Sequence, residues 1–300
     1  MAAVIRQAWA GGVPARKMDG LVKAMGCEGI SKSQASGPCQ ALDARVREFL
    51  DRPLDGTRAR LWLDATYLKV RMGGRVVSVA ATAAAGVNLE GRREILGLGV
   101  GLPEAGEFWV EFLRPPTAGG LSGVQLVISD SHEGLKAAVA QVLGAAWQRC
   151  RVHFTRNLQA RVPRDCEGLV PALLRQVFAQ PDIESAKAHW RQAADQLRPR
   201  LPKAAALMDG AGDDVLARMA FPAAHRAKIH STNPPGAQQG SEARGRRGGH
   251  LPPLGQRQAA GGGGADGRND EWILGQRYMT LETLAEASGT QTPVPKALGH

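Results

Sequence analysis

Cysteine, aromatic side chains, acidic residues and long hydrophobic runs are all in short supply in this 300-residue chain. The four cysteines, Cys27, Cys39, Cys150 and Cys166, are irregularly spaced, which argues against a disulfide framework in a chain of this length. The longest apolar stretch, residues 76–87, is alanine-rich and falls short of the ~18–20 residues that cross a bilayer. Residues 1–10 carry Arg6 but no apolar core of an export signal, so an intracellular, cytoplasmic protein with no membrane partner is expected. Six Trp, six Phe and two Tyr are too few for a surface on which single-stranded bases stack. Gly97-Leu98-Gly99-Val100-Gly101 lacks the third glycine of a dinucleotide loop at the required place, and neither a Walker lysine motif nor a metalloprotease histidine pair occurs. What is plentiful is positive charge. Lys and Arg number 38 against 28 Asp and Glu, a net +10, and a basic surface of that size points to a polyanion, nucleic acid first.

At 43% apolar and 22% charged, the composition is globular, and the patterning divides the chain unevenly. Residues 1–55 read as short helices, with Gly26-Cys27-Glu28-Gly29-Ile30-Ser31 as a turn of helix-turn-helix spacing. A groove-reading unit would present Lys32, Ser33 and Gln34 to base edges. Gly37-Pro38 stops the second helix early, because proline removes a hydrogen bond and clashes with the preceding turn, so a plain helical packing piece is the alternative. Residues 56–157 read as a mixed α/β sheet: strands at 61–63, 75–85, 93–101 and 124–128, a hairpin at Gly73-Gly74, helices at 104–113 and 133–143, and a last strand over 147–154. Residues 158–227 are helical in pieces bounded by Pro163, Pro181, Pro199 and Pro202. Their apolar faces are Leu169, Leu173 and Val177, then Ala186, Trp190, Ala193 and Leu197. Residues 235–268 hold eleven glycines and five arginines, with Leu251 and Leu254 as the large apolar residues, a composition that predicts disorder. Apolar spacing resumes over 269–300 with Trp272, Ile273, Tyr278, Met279 and Leu281, a C-terminal helix and tail.

Two acids stand where buried strands meet solvent. Asp64 ends an apolar run that begins at Leu61, and Asp130 ends Leu126-Val127-Ile128-Ser129. If the strands are neighbours, both carboxylates share one edge of the sheet, where open α/β folds bind ligands, and such oxygen ligands favour Mg²⁺ or Mn²⁺. The alternatives are a capping box of Asp130 with Glu133 and a turn at Asp64. Cys150 and His153 have the spacing of half a zinc site whose other half is missing, so Cys150 also fits as a small buried apolar residue. Arg149, Arg151, Arg156 and Arg161 form a basic patch suited to phosphates or to a solvated face.

Four blocks together, Leu61-Trp-Leu-Asp-Ala-Thr-Tyr-Leu-Lys-Val-Arg71, Val127-Ile-Ser-Asp-Ser-His-Glu-Gly-Leu-Lys136, Trp147-Gln-Arg-Cys-Arg-Val-His-Phe154 and Lys228-Ile-His-Ser-Thr-Asn-Pro234, strongly resemble the mutator-type transposases of bacterial insertion sequences (the IS256 family). The resemblance covers roughly residues 12–234 and resumes from Asn269 to Leu281. It implies an RNase H-like core with an all-helical insertion, the chain returning to the core at 228–234, and a DDE triad acting on transposon ends in the bacterial nucleoid. Asp64 and Asp130 inherit the metal-binding acids, two Mg²⁺ or Mn²⁺ ions are implied as cofactors, and Cys150 and His153 match the family's Cys-x-x-His signature. DNA is the implied partner, with Lys69 and Arg71 joining Arg149, Arg151 and Arg156 as contact candidates, and a homo-oligomer is implied for an intact enzyme.

The chain departs from the family in three places. Where the family's third acid follows Asn-Pro, this chain reads Asn233-Pro234-Pro235-Gly236-Ala237, with Gly236 in the glutamate's place. The tract 235–268 replaces the helix that would carry that acid, as two compensating frameshifts would do, and Glu242 on a glycine-rich segment lacks the rigid placement to stand in. The chain's start resembles a point well inside the family's length, and Gly37-Pro38 interrupts the helix-turn-helix that remains. The expectation is a transposase copy without strand-cleaving activity. The alternatives are a DNA-binding or subunit-pairing remnant that inhibits full-length transposase, and a product that fails to fold.

Overall fold

The computed structural model describes residues 46–72, 75–102 and 106–232, together with Met279. The segment holding Lys32, Gln34 and Gly37-Pro38, the hairpin tip Gly73-Gly74, and the tract holding Gly236 and Glu242 lie outside the described residues. Strands β1 (Arg60–Met72), β2 (Arg75–Val87) and β3 (Arg93–Gly101) run antiparallel to one another. Helix α1 (Gly106–Ala118) leads to β4 (Leu126–Ser129), and α2 (Glu133–Ala138) with a π-helical turn at Val139–Leu143 leads to β5 (Ala146–Arg149). Both later strands are parallel to β1, giving one five-stranded mixed sheet in the order β3-β2-β1-β4-β5. The mixed α/β class read from the sequence is therefore present.

Side-chain alternation along the strands sorts the sheet's two faces. Leu61, Leu63 and Val127 join Trp109, Leu113, Leu135 and Val139 of α1, α2 and the π-helical turn in one core. Trp62, Leu126 and Ile128 point the other way, into a core completed by Phe221, Ile229 and Met279. The glycines of β3, which fail as a dinucleotide loop, have a packing role here. Side chains built at Gly97, Gly99 and Gly101 would collide with or crowd Pro116, Phe112 and Phe108 of α1 respectively, the Gly99 Cβ coming within 2.5 Å of the Phe112 ring. Strand period two thus matches helix spacing of four, and α1 sits close on a groove without side chains.

After β5 the chain is helical: α3 (Arg151–Gln159), a 3₁₀ turn at Arg164–Cys166, α4 (Leu169–Phe178), α5 (Ile183–Leu197), α6 (Pro202–Asp209), α7 (Gly212–Leu216), a 3₁₀ turn at Ala217–Ala220 and α8 (Ala223–Arg226). Asp182 starts α5 by accepting hydrogen bonds from the Ser185 amide at 2.8 Å and hydroxyl at 2.9 Å, an N-cap. The predicted face Ala186, Trp190, Ala193 and Leu197 is buried, with the Trp190 indole against Phe154 at 5.2 Å and donating to the Met208 carbonyl.

Three local expectations are corrected. The strand predicted over 147–154 stops at Arg149, and residues 151–154 form the first turn of α3. On α4 the buried residues are Val170, Leu174 and Val177, while Leu169 is 46% exposed, so the face is shifted by one residue in its first two turns. Asp130 does not cap α2. His132 is the N-cap, accepting from the Leu135 amide, which removes the capping-box account of Asp130.

Candidate active site

The parallel register between β1 and β4 pairs Arg60 with Leu126, Leu61 with Val127 and Trp62 with Ile128. Carried two residues further, the same register sets Asp64 opposite Asp130. β4 pairs Ser129 with Arg149 of β5, so the next step sets Asp130 opposite Cys150, and the Cys150 amide donates to Ser129 O. Continued in this way, one row across the ends of three adjacent strands reads Asp64, Asp130, Cys150. The three share the sheet face of Trp62 and Ile128, because side chains alternate. Asp64 lies within β1, whereas Asp130 and Cys150 each follow the last residue of a strand.

His153, on the first turn of α3, closes the row from above. Its Nδ1 is 4.0 Å from Asp130 Oδ2, and its ring lies close enough to Cys150 to interact with the thiol. The segment after α8 closes the other side. Ser231 Oγ lies 3.5 Å from Cys150 Sγ, the Thr232 amide donates to the same sulfur at 3.5 Å, and the Thr232 hydroxyl lies 3.6 Å from it. Thr232 also lies beside the Asp64 carboxylate and acts to lower its pKa. The Arg151 amide donates to His230 O at 2.9 Å. Cys150, fully buried, is thus the pin that holds 230–232 against the carboxylates. Ser231 and Thr232 were not singled out from the sequence, since some 80 residues separate them from Cys150.

The electrostatics follow from burial and from these neighbours. Burial raises the Asp64 pKa and the Asp130 charge adds to the rise, while His153, the Thr232 hydrogen bond and Arg93 oppose it. Burial would raise the Cys150 thiol too, but hydrogen bonding and charge from His153, with help from Ser231, bring it down to about 6. The hydrogen bond to Cys150 raises the His153 pKa, against the effect of burial, and the charges of Cys150, Asp130 and Asp64 add to it. These neighbours favour the protonated imidazole of His153.

Among the described residues, no three His, Cys, Asp or Glu side chains are grouped as a complete metal site. The donors that are present fit a divalent cation of the Mg²⁺ type, which takes one or two carboxylates and completes its shell with water and phosphate oxygen. Of the other candidates, Lys69 is exposed, Arg71 lies in β1 and its side chain is not described, and Arg149 is buried with its guanidinium 5.1 Å over the Phe154 ring. Arg151 is half-buried over Phe178, and Arg156 is exposed.

Gln148 is a supporting residue that the sequence reading missed. It is fully buried, donates to Val215 O at 2.7 Å and to Arg149 O at 2.7 Å, and accepts from the Arg218 amide at 2.6 Å. It ties the end of β5, two residues before Cys150, to the end of the helical layer.

Comparison with known proteins gives the family. Residues 1–242 match the family model described as transposase, mutator family. The chain is 43% identical over 285 residues to the transposase for insertion sequence element IS1081 of Mycobacterium tuberculosis, covering 94% of this chain and 68% of that protein. It is 38% identical over 221 residues to the IS406 transposase of Burkholderia multivorans, covering 73% of this chain and 57% of the relative. Against the IS256 transposase in transposon Tn4001 of Staphylococcus aureus the identity is 32% over 226 residues, 74% of this chain and 58% of the relative. The chain belongs to the mutator family of insertion-sequence transposases. No helix among the described residues is long and apolar enough to cross a membrane.

Proposed function

We propose that the chain carries a DDE-type transposase core of RNase H-like topology, built for phosphoryl transfer at the ends of an insertion sequence, and that this copy does not cleave DNA. The observation that carries the first half is the parallel pairing of β1 with β4, whose register, continued two residues past its last pair, sets Asp64 opposite Asp130. The order β3-β2-β1-β4-β5, three antiparallel strands followed by two parallel ones, and the helical layer inserted after β5 support the same topology. In this reading 1–55 is a DNA-binding remnant, 56–157 and 228–234 form the core, 158–227 is an insertion, and 269–300 returns to the family pattern.

Asp64 and Asp130 would hold the divalent ions. Mg²⁺ or Mn²⁺, when bound, supplies charge stabilisation at the phosphoryl oxygens and a more acidic attacking hydroxyl. The chain's own residues do the positioning. β1 holds Asp64 in place, Thr232 would orient its carboxylate, and His153 offsets the negative charge beside Asp130. Catalytic silence rests on Asn233-Pro234-Pro235-Gly236, which puts glycine where the third acid belongs and leaves the ions a ligand short. The IS1081 match covers 94% of the chain, which supports the glycine-rich tract as an interruption inside family sequence. Gly236 equally favours the second reading, a DNA-binding or subunit-pairing remnant that inhibits full-length transposase.

The test is Mn²⁺ titration alongside nicking of insertion-sequence end DNA, for the chain and for Asp64→Asn. The expected result is Mn²⁺ binding that Asp64→Asn weakens, with no cleavage by either protein. Absence of Mn²⁺ binding refutes the carboxylate pair, and Asp64-dependent nicking refutes silence. Retention of intact transposase subunits by the chain favours the inhibitory remnant.

A further inference from the structure

The first helix after the carboxylate row has a second face. His153 points to Asp130, while Arg151, Val152, Thr155, Arg156 and Gln159 of α3 line a cleft of about 560 Å³ shared with α4. Arg175 and Phe178 are on the opposite wall, and none of the ten lining residues is acidic. Among the described residues Arg156 and Arg175 form no ion pair, and both are exposed. The floor is cationic as well. The Phe178 ring is flanked by the guanidinium of Arg151 at 4.7 Å and that of the buried Arg218 at 5.5 Å. Burial first, and then the charges of Arg151 and Arg226, lower the Arg218 pKa to about 10.

Three guanidinium groups round an open, acid-free cleft are suited to phosphodiesters, which arginine meets with paired hydrogen bonds. The cleft starts at the row, because Arg151 directly follows Cys150, and α3 carries it ~12 Å away at ~1.5 Å per residue. At ~3.4 Å of rise per nucleotide on one strand, that length matches three to four phosphates. We infer that the α3–α4 cleft is a backbone-binding subsite that holds DNA phosphates flanking the strand presented to Asp64 and Asp130. The inference rests on the transposase reading and adds where the flanking DNA lies.

The test is fluorescence anisotropy of the full chain with a short labelled duplex of arbitrary sequence, over a range of salt concentrations. The variants are Arg156→Ala with Arg175→Ala, and Arg191→Ala on the exposed face of α5 as the control. Losing two phosphate contacts lowers the slope of log affinity against log salt by ~1.8, so the affinity lost between about 50 and about 200 mM salt shrinks by about 12-fold. The control keeps the parent slope. If the parent binds and the double variant keeps the parent slope, or Arg191→Ala lowers it equally, the cleft is refuted and DNA binding stands. A parent chain that shows no salt-dependent retention overturns both. Circular dichroism of each variant confirms that the exposed substitutions leave the fold intact.

Discussion

Gln148→Leu is the sharpest test of how the helical layer is joined to the sheet. The substitution keeps the side chain's approximate size and removes its hydrogen bonds. It leaves the Arg218 amide and the Val215 carbonyl facing an apolar group in a site that is fully buried. A buried polar group deprived of its partner costs about 1–3 kcal/mol, so the two together cost about 2–6 kcal/mol. Domains of this kind hold only about 5–15 kcal/mol in total, which makes the loss large. Urea unfolding followed by tryptophan fluorescence should show a midpoint lower by about 1 M or more with little change in slope, for slopes of about 1–3 kcal/mol/M. Gln148→Glu should lose at least as much at neutral pH, since a carboxylate oxygen then faces the two carbonyls that the amide now satisfies. A Gln148→Leu midpoint equal to the parent's, at unchanged slope, would show that the carboxamide bridge contributes nothing and would refute the reasoning.

The remaining predictions concern the row and the sheet beneath it. Burial raises the Asp64 pKa above its ordinary 3.8, so the stability linked to its protonated form is complete below that value and is lost as pH rises through the raised pKa. Asp64→Asn should therefore match the parent in acid and exceed it in stability at neutral pH without added metal, and a parent as stable as the variant at neutral pH contradicts this. Cys150→Ala removes the acceptor for the Thr232 amide and should cost about 1–3 kcal/mol. Hydrogen exchange at Thr232 should accelerate with it, and unchanged exchange there means that the sulfur pins nothing. Gly99→Ala drives a Cβ to within 2.5 Å of Phe112 and should cost about 1–3 kcal/mol by thermal unfolding, whereas a neutral effect would mean that α1 lifts freely off β3.

The two acids were legible because each follows a short apolar run, Leu61-Trp62-Leu63 and Leu126-Val127-Ile128-Ser129, although β1 itself continues past Asp64 to Met72. Parallel pairing then aligns the acids without any further signal. The end of β5 was not legible for the converse reason. Gln148, Cys150, Val152 and Phe154 continue the two-residue alternation of a strand straight into α3. What breaks it is tertiary: the Arg151 amide is taken by His230 O, from a segment far along the chain. Gly97, Gly99 and Gly101 carried a visible pattern, but its meaning depended on Phe108 and Phe112 of α1 lying across the strand. The first-turn face of α4 was misplaced by one residue because Leu169 and Val170 are adjacent apolar residues, and only the packed layer decides which turns inward. The polar residues that support the row, Gln148, Ser231 and Thr232, carry no periodic signature at all.

Mechanically, the row resembles a vice with one fixed and one movable jaw. Asp64 is built into a thirteen-residue strand that continues past it to Met72, paired with β2 along its length, so it can move only if the whole hairpin moves. Asp130 follows the last residue of its short strand, whereas Cys150, though also past its strand's end, is tied to β4 by its amide's hydrogen bond to Ser129 O. Changes in length at the hairpin tip leave the gap between the carboxylates untouched. Changes between Ser129 and Glu133 act on it directly. Adjustment of the gap is therefore confined to the Asp130 side.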